Sequence, residues 1–154
     1  MALQSTMYQK QNIYVSAAPW TMHEFFAGSG LVAYGLKGMF APVWANDISE
    51  QKAAVYEANF GCNQFILDDI KNIKGSVLPF AHLSWASFPC QDLSLAGSIG
   101  GIYASRSGLV WEWLRVLDEM DNKPKILLVE NVAGLLSTNG GDNYRVLHLA
   151  LTER

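Results

Sequence analysis

A cysteine sits in the stretch Phe88-Pro89-Cys90-Gln91, just past an apolar run. A thiolate held there, in a loop stiffened by proline, is a strong nucleophile near neutral pH. The competing reading is a small buried hydrophobe, which most lone cysteines are; Cys62, beside Gly61, is read that way. Some forty residues on stands Glu130-Asn131-Val132, again after an apolar run. A carboxyl beside an apolar strand end can have a raised pKa and give up a proton, or it can be a solvated terminus. Ala27-Gly28-Ser29-Gly30 could bring backbone N–H groups close to a ligand, because glycine lacks a Cβ. Alone it could equally be a tight turn. The full G-x-G-x-x-G pattern fails, since Ala33 stands where the third glycine belongs. Asp47 could accept hydrogen bonds from ribose hydroxyls, or cap the helix that follows. Asp69 could hold an adenine amino group or start a turn, and Asp68 competes with it. Arg106 could contact a phosphate or carboxylate, or be solvated. His23, His82 and His148 share no ligand spacing, so a metal site is not expected. Trp111 and Trp113 read as packing on a helix.

These residues need a frame, and the chain alternates strand-like and helix-like pieces. Strands are expected at Thr21–Phe26, Pro42–Asn46, Phe65–Leu67, Leu83–Phe88 and Lys125–Val129. Helices are expected at Leu31–Lys37, closed by Gly38; at Ser49–Asn59, with Ser49 as N-cap and Gly61 as C-cap; at Leu109–Glu119; and at Tyr144–Leu151. The Leu109 helix carries Leu109, Trp113, Val116, Leu117 and Met120 on one side. The last strand is nearly continuous in Ile and Leu, as buried parallel strands are. Repeated strand–helix order with chemical residues just past strand ends predicts a doubly wound α/β, mostly parallel sheet. Ligands in such sheets bind beyond the carboxyl ends of the strands, near the switch point.

The 154 residues are enough for one compact domain. Half are hydrophobic and 12% aromatic, which argues against intrinsic disorder. A net charge of −3 argues against a polyanion binder held by bulk charge, but leaves room for local basic surface. Two cysteines without a CxxC pair fit a reducing compartment. No apolar run approaches the roughly 20 residues that span a bilayer, and no leader pattern opens the chain. A soluble, cytoplasmic protein from a prokaryotic or phage-like context is expected. Residues 1–20 read as a variable N-terminal extension.

Phe26-Ala27-Gly28-x-Gly30, Pro89-Cys90-Gln91 and Glu130-Asn131-Val132, in that order, resemble the first, fourth and sixth signature blocks of the DNA (cytosine-5) methyltransferases. Val43-Trp44-Ala45-Asn46-Asp47 resembles the second block and Asp69-Ile70 the third. Ala53 to Gly61, Ser94, Ala96-Gly97, Arg106-Ser107-Gly108-Leu109 and Pro124 fall at family-like places. The resemblance covers roughly residues 22–151. Departures are Leu31 for a second glycine, Glu24 for an Asp, Asp47 for a Glu and Ser87 for a Gly.

The resemblance implies a Rossmann-like sheet of the S-adenosylmethionine-dependent methyltransferase type, incomplete at the C-terminus. S-adenosyl-L-methionine would be the methyl donor and double-stranded DNA the substrate, with Cys90 as nucleophile and Glu130 as its acid partner. Asn131 would orient Glu130 or the cysteine loop, Pro89 and Gln91 would shape that loop, and Arg106 would serve the same catalytic set. The cofactor would lie against Phe26, Ala27, Gly28, Gly30, Asp47, Ile48, Asp69, Ile70, Pro89 and Leu109. The eighth to tenth blocks and the target-recognition domain do not appear in the sequence, so residues 21–154 are expected to be a partial catalytic domain: a fragment, or half of a split enzyme served by a second chain. Competing readings are a cofactor- or partner-binding module without catalysis, a poorly folding remnant, a nucleotide-binding enzyme of similar architecture, and a transfer-RNA cytosine-5 methyltransferase.

Overall fold

A computed structural model of the protein describes residues 20–89 and 108–154. They form a five-stranded parallel sheet in the order β3-β2-β1-β4-β5. The strands are β1 (Trp20–Phe25), β2 (Phe40–Asp47), β3 (Phe65–Leu67), β4 (Leu83–Ala86) and β5 (Ile126–Val129). The helices are α1 (Leu31–Gly35), α2 (Glu50–Phe60), α3 (Leu109–Asp118), the single turn α4 (Gly134–Ser137) and α5 (Asp142–Thr152). This is the expected doubly wound class. Strand order reverses beside β1: the chain leaves it toward β2 and later returns on its other side as β4.

Alternation along β1 divides the interior. Phe25 and His23 face one side, Met22 and Glu24 the other, and all four are at most 1% exposed. On the first side Phe25 meets Trp44 at 4.5 Å between ring centroids, and Trp113 of α3 at 6.4 Å. Trp113 is fully buried because its indole N–H donates to the Ser84 hydroxyl at 3.0 Å, which satisfies a polar group that would otherwise be costly inside. Val110, Trp113, Leu114 and Leu117 recur at helical spacing and turn α3 onto this core. On the second side α1 and α2 pack through Ala33, Ala53, Tyr56 and Phe60 against Ala45 and Phe65.

Two short 3-10 turns, Ile70–Asn72 and Gly75–Val77, link β3 to β4. Arg115 of α3 fixes them: its guanidinium donates to the carbonyls of Ile70 and Ile73, both at 3.1 Å, while Glu112 and Glu119 hold it in place. Glu119 also accepts from the Gly75 N–H at 2.8 Å.

Element positions follow expectation with ends displaced by at most two residues. Ser49 does cap α2, accepting from the Lys52 N–H, and Gly61 closes it with φ of 87°. The turn α4 and the 3-10 turns are too short for periodicity to register. The reading of β5 as buried on both faces is corrected. Leu127 and Val129 pack on the α3 side, but Ile126 is 49% exposed and Leu128 36%. No described helix covers the other face of β4 and β5, so Trp85, Leu128 and Ile126 form an open apolar strip there.

Gly75 tests the packing of α3. A Cβ at this position would lie 1.9 Å from the Val116 carbonyl oxygen and 2.8 Å from the Glu119 Cβ. Backbone cannot yield as a side-chain tip can, so Gly75→Ala is expected to cost about 2–3 kcal/mol in urea unfolding. An unchanged midpoint would show that α3 can shift freely over this turn.

Candidate functional site

The carboxyl ends of β1, β2, β3, β4 and β5 carry, in turn, the Gly turn, Asp47, Asp68-Asp69, the Ser87-Phe88-Pro89 segment and Glu130-Asn131. A parallel sheet puts all of these at one edge. Cys90, Gln91 and Arg106 lie outside the described residues.

The Gly turn is built by unusual backbone. Phe26 has φ of 57°, Gly28 57° and Gly30 83°. The left-handed region is easy for glycine and costs a residue with a Cβ on the order of 1 kcal/mol. Phe26 accepts it, and its half-buried ring packs against the larger core rather than standing free in solvent. At Gly30 a Cβ would fall 2.1 Å from the Phe60 ring and 2.9 Å from Tyr56. Glycine is therefore required there by both conformation and space.

Both oxygens of the Asp47 carboxylate are engaged by backbone groups. One carboxylate oxygen accepts from the Gly28 N–H at 2.8 Å, the other from the Ser49 N–H at 2.9 Å. It ties the Gly turn to the end of β2 while opening α2. Ala27 is held alongside, its N–H donating to the Asn46 carbonyl at 2.8 Å. The buried Asn46 amide in turn donates to the carbonyls of Ile66 and Asp68, both at 2.9 Å. This anchors the end of β3.

Asp68 is exposed and turned inward to its own loop, accepting from the Asp69 N–H and the Asn72 amide. Asp69 is half-buried and caps the 3-10 turn, accepting from the Lys71 N–H at 3.0 Å. Ile70 is 3% exposed and belongs to the larger core, and its carbonyl already accepts from the Arg115 guanidinium and the Ile73 N–H, so the cofactor contact expected of it is not open. Ile48 is 68% exposed beside Asp47. Leu109 opens α3 and packs against the larger core. Pro89 is exposed.

The β4 and β5 ends are locked to each other. The Asn131 side-chain amide donates to the Phe88 carbonyl at 2.8 Å, and the Glu130 N–H donates to the Ala86 carbonyl at 3.0 Å. Ser87, where the resembled family carries glycine, accepts from the Trp85 indole N–H at 2.7 Å. The residue preceding Cys90 is thus fixed at its root, with the exposed Glu130 next to the lock.

Sequence reasoning missed one site residue. Glu24 is 1% exposed beneath the Gly turn, with one carboxyl oxygen accepting from the Ala33 N–H at 3.4 Å. Burial pushes its pKa up to about 7, against smaller opposing effects from the amides of Ala33 and Val32 and the Tyr56 hydroxyl. An acidic residue at an inward position of an apolar strand was the available signal. His23 is also fully buried, with Nε2 donating to the Pro79 carbonyl at 2.7 Å; burial lowers its pKa, which favours the neutral ring. It is structural, as expected for the histidines. Among the described residues no group of three or more His, Cys, Asp or Glu side chains is placed to hold a metal, and no helix is long and apolar enough to cross a membrane.

Comparison with known proteins bears on the whole described sheet. The C-5 cytosine-specific DNA methylase family model matches residues 20–153. The Type II methyltransferase M.Bsp6I of Bacillus sp. (strain RFL6) is 36% identical over 129 residues, which are 82% of this chain and 40% of that protein. Among solved structures, the S. pombe Dnmt2 methyltransferase superposes with a TM-score of 0.62 at 25% identity, over 84% of this chain and 39% of that one. A putative DNA modification methyltransferase encoded in an E. coli prophage gives 0.66 at 16% identity, over 87% and 38%, a likeness of fold alone. The chain spans about two fifths of the length of M.Bsp6I and about a third of M.BsuFI.

Replacing Asp47 by Ala leaves the N–H groups of Gly28 and Ser49 without their acceptor. A loss of about 2 kcal/mol in denaturant unfolding is expected, with a smaller loss for Asp47→Asn, whose amide oxygen can still accept one of the two bonds. Equal stability of all three forms would show that the tie does not hold the turn.

Proposed function

This chain belongs to the C-5 cytosine-specific DNA methylase family, and from that premise we propose that it carries the cofactor-binding and nucleophile-bearing part of a DNA (cytosine-5) methyltransferase. The observation that carries the reading is the lock between the β4 and β5 ends, through Asn131 and the Phe88 carbonyl, at the same sheet edge as the Asp47-pinned Gly turn. One edge would then serve an adenosine-type ligand at the turn, beside the Phe88-Pro89 segment that leads to Cys90 and the Glu130 carboxylate. Residues 1–20 would be an extension, and 21–154 part of the catalytic domain.

The residues suit S-adenosyl-L-methionine. Asp47 and Asp69 offer carboxylates at successive strand ends for ribose hydroxyls and an adenine amino group. The exposed Ile48 supplies an apolar surface for the ring, and the space beyond Gly28 is open, the nearest side-chain atom to a Cβ there being the Lys52 Cδ at 4.0 Å. Phe26, Ala27, Gly30, Pro89 and Leu109 would complete the wall. The bound cofactor supplies an electrophilic methyl group on its sulfonium.

The protein's task is to make cytosine C5 nucleophilic. The Cys90 thiolate would add to C6, forming the S–C6 bond and moving the C5–C6 π electrons toward C5. Glu130 would donate its proton or a hydrogen bond at N3, stabilising the charge that develops on the ring. Once C5 has been methylated, loss of its proton to a base and departure of the Cys90 thiolate would restore the aromatic ring. Asn131 would hold Glu130 and the cysteine loop in mutual register. Gln91 and Arg106 would contact the target strand. Cytosine C6 is shielded in stacked duplex DNA, so the base must swing out.

Parts present in the longer relatives would cover the Trp85–Leu128–Ile126 strip and pair with the outer edge of β5, whether on this chain or a second one. A cytoplasmic setting with access to DNA fits this role.

The test is covalent trapping on a DNA duplex carrying 5-fluorocytosine, with S-adenosylmethionine and with a fragment supplying the later family blocks. A denaturation-resistant adduct is expected with the natural chain and none with Cys90→Ser. An adduct that survives that substitution would remove Cys90 from the role, and no adduct at all would remove the reaction.

A further inference from the structure

Glu24 is a buried titratable group, beside the Gly turn, that the proposed chemistry does not use. It shares its face of β1 with Met22; its register neighbours, Ala45 on β2 and Trp85 on β4, carry no charge. From α2 it meets the Tyr56 hydroxyl, and from α1 the N–H groups of Val32 and Ala33. No cation is among these contacts. The charged groups of β2 and α2 nearest the turn are Asp47, bonded to Gly28, and Lys52, whose Cδ faces the outer side of Gly28. Neither lies among the groups that shift Glu24.

Walls of unequal strength surround this carboxyl. The strands and α2 are core. α1 is five residues long, buries only Ala33, and leaves Leu31 80% and Tyr34 71% exposed. An ionised carboxylate without a counter-charge must reach water, and the least costly element to displace is α1 with the Gly turn that leads into it.

We propose that Glu24 is a proton-operated latch for the Gly turn: protonated, it lets α1 close over it and holds residues 28–33 in ligand-ready shape; ionised, it opens them to solvent. The latch is a positioning residue, and its effect on the cofactor rests on the reading of the turn given above. The sign follows from linkage. Its folded-state pKa, near 7, lies above the ordinary value of 4.5, so the closed form is fully favoured below about pH 4.5 and loses ground as pH rises through 7. Between those two values the opening equilibrium gains up to tenfold per pH unit, the limit for one proton, and above 7, where closed and open forms are both ionised, it levels off.

Amide hydrogen exchange on the natural chain between pH 4.5 and 9, corrected for intrinsic rate, reads this directly. Residues 28–36 are expected to lose protection by up to about tenfold per pH unit between pH 5 and 7 and to level off above it, while α2 keeps its own. In Glu24→Gln the same segment should stay closed across the range. Calorimetry with S-adenosylhomocysteine should show weaker affinity at pH 8 than at 5.5 in the natural chain, and no such change in Glu24→Gln. Protection of 28–36 that ignores pH, loosening of α2 in step with it, or the same profile in Glu24→Gln would each overturn the latch. Should Glu24→Gln fail to fold, the natural chain's contrast between the two segments decides alone. Absence of S-adenosylhomocysteine binding at every pH would instead sink the cofactor reading and leave the exchange result standing.

Discussion

β1 sits between β2 and β4 with both faces buried, and the groups at the ligand edge are positioned relative to it. The pairings Phe25↔Asn46 and Phe25↔Ala86 fix how far β2 and β4 extend beyond it. Those two registers decide that Asp47 reaches the Gly28 N–H and that Ser87 can donate its own N–H to the Phe25 carbonyl. A slip of one residue on either side would turn Glu24 or Ala45 to the wrong face. The site is thus a product of strand register first and of side-chain choice second.

Short polar ties then convert register into rigidity. Asp47, Asn46 and Asn131 each bridge one strand end to its neighbour, and each spends a side chain on backbone groups left over where the ladder stops. Unpaired backbone groups at strand ends would otherwise need water or pay for burial. The same polar residues that stop the ladder from fraying stand together at the carboxyl edge of the sheet.

Much of this was legible in the sequence. Apolar runs ended by Gly28, Asp47, Asp69, Pro89 and Glu130 marked strand ends, because parallel strands are nearly continuous in apolar residues while their loops carry the chemistry. The capping of α2 by Ser49 was readable from local rules alone. Three things were not. The exposed face of β5 depends on what packs on it, which no property of Ile126 or Leu128 encodes. The left-handed backbone at Phe26 is imposed by the turn it enters, against its own preference. The environment of Glu24 arises from Val32, Ala33 and Tyr56, which lie eight to thirty-two residues away and meet it only through the fold.

The two cores differ in how the chain reaches them. The smaller one draws on residues 27 to 65, a contiguous stretch. The larger one joins Phe25 to Trp113 and Leu147, and the β1–β4 pairing closes a loop of some sixty residues. Local contacts cost less chain entropy and form sooner than distant ones. The unit β1-α1-β2-α2-β3 can therefore assemble before the rest has been added, and it already contains the Gly turn, Asp47 and Glu24. Assembly would run outward from the Gly turn, with β4, β5 and the groups at their ends joining a platform that is already in place.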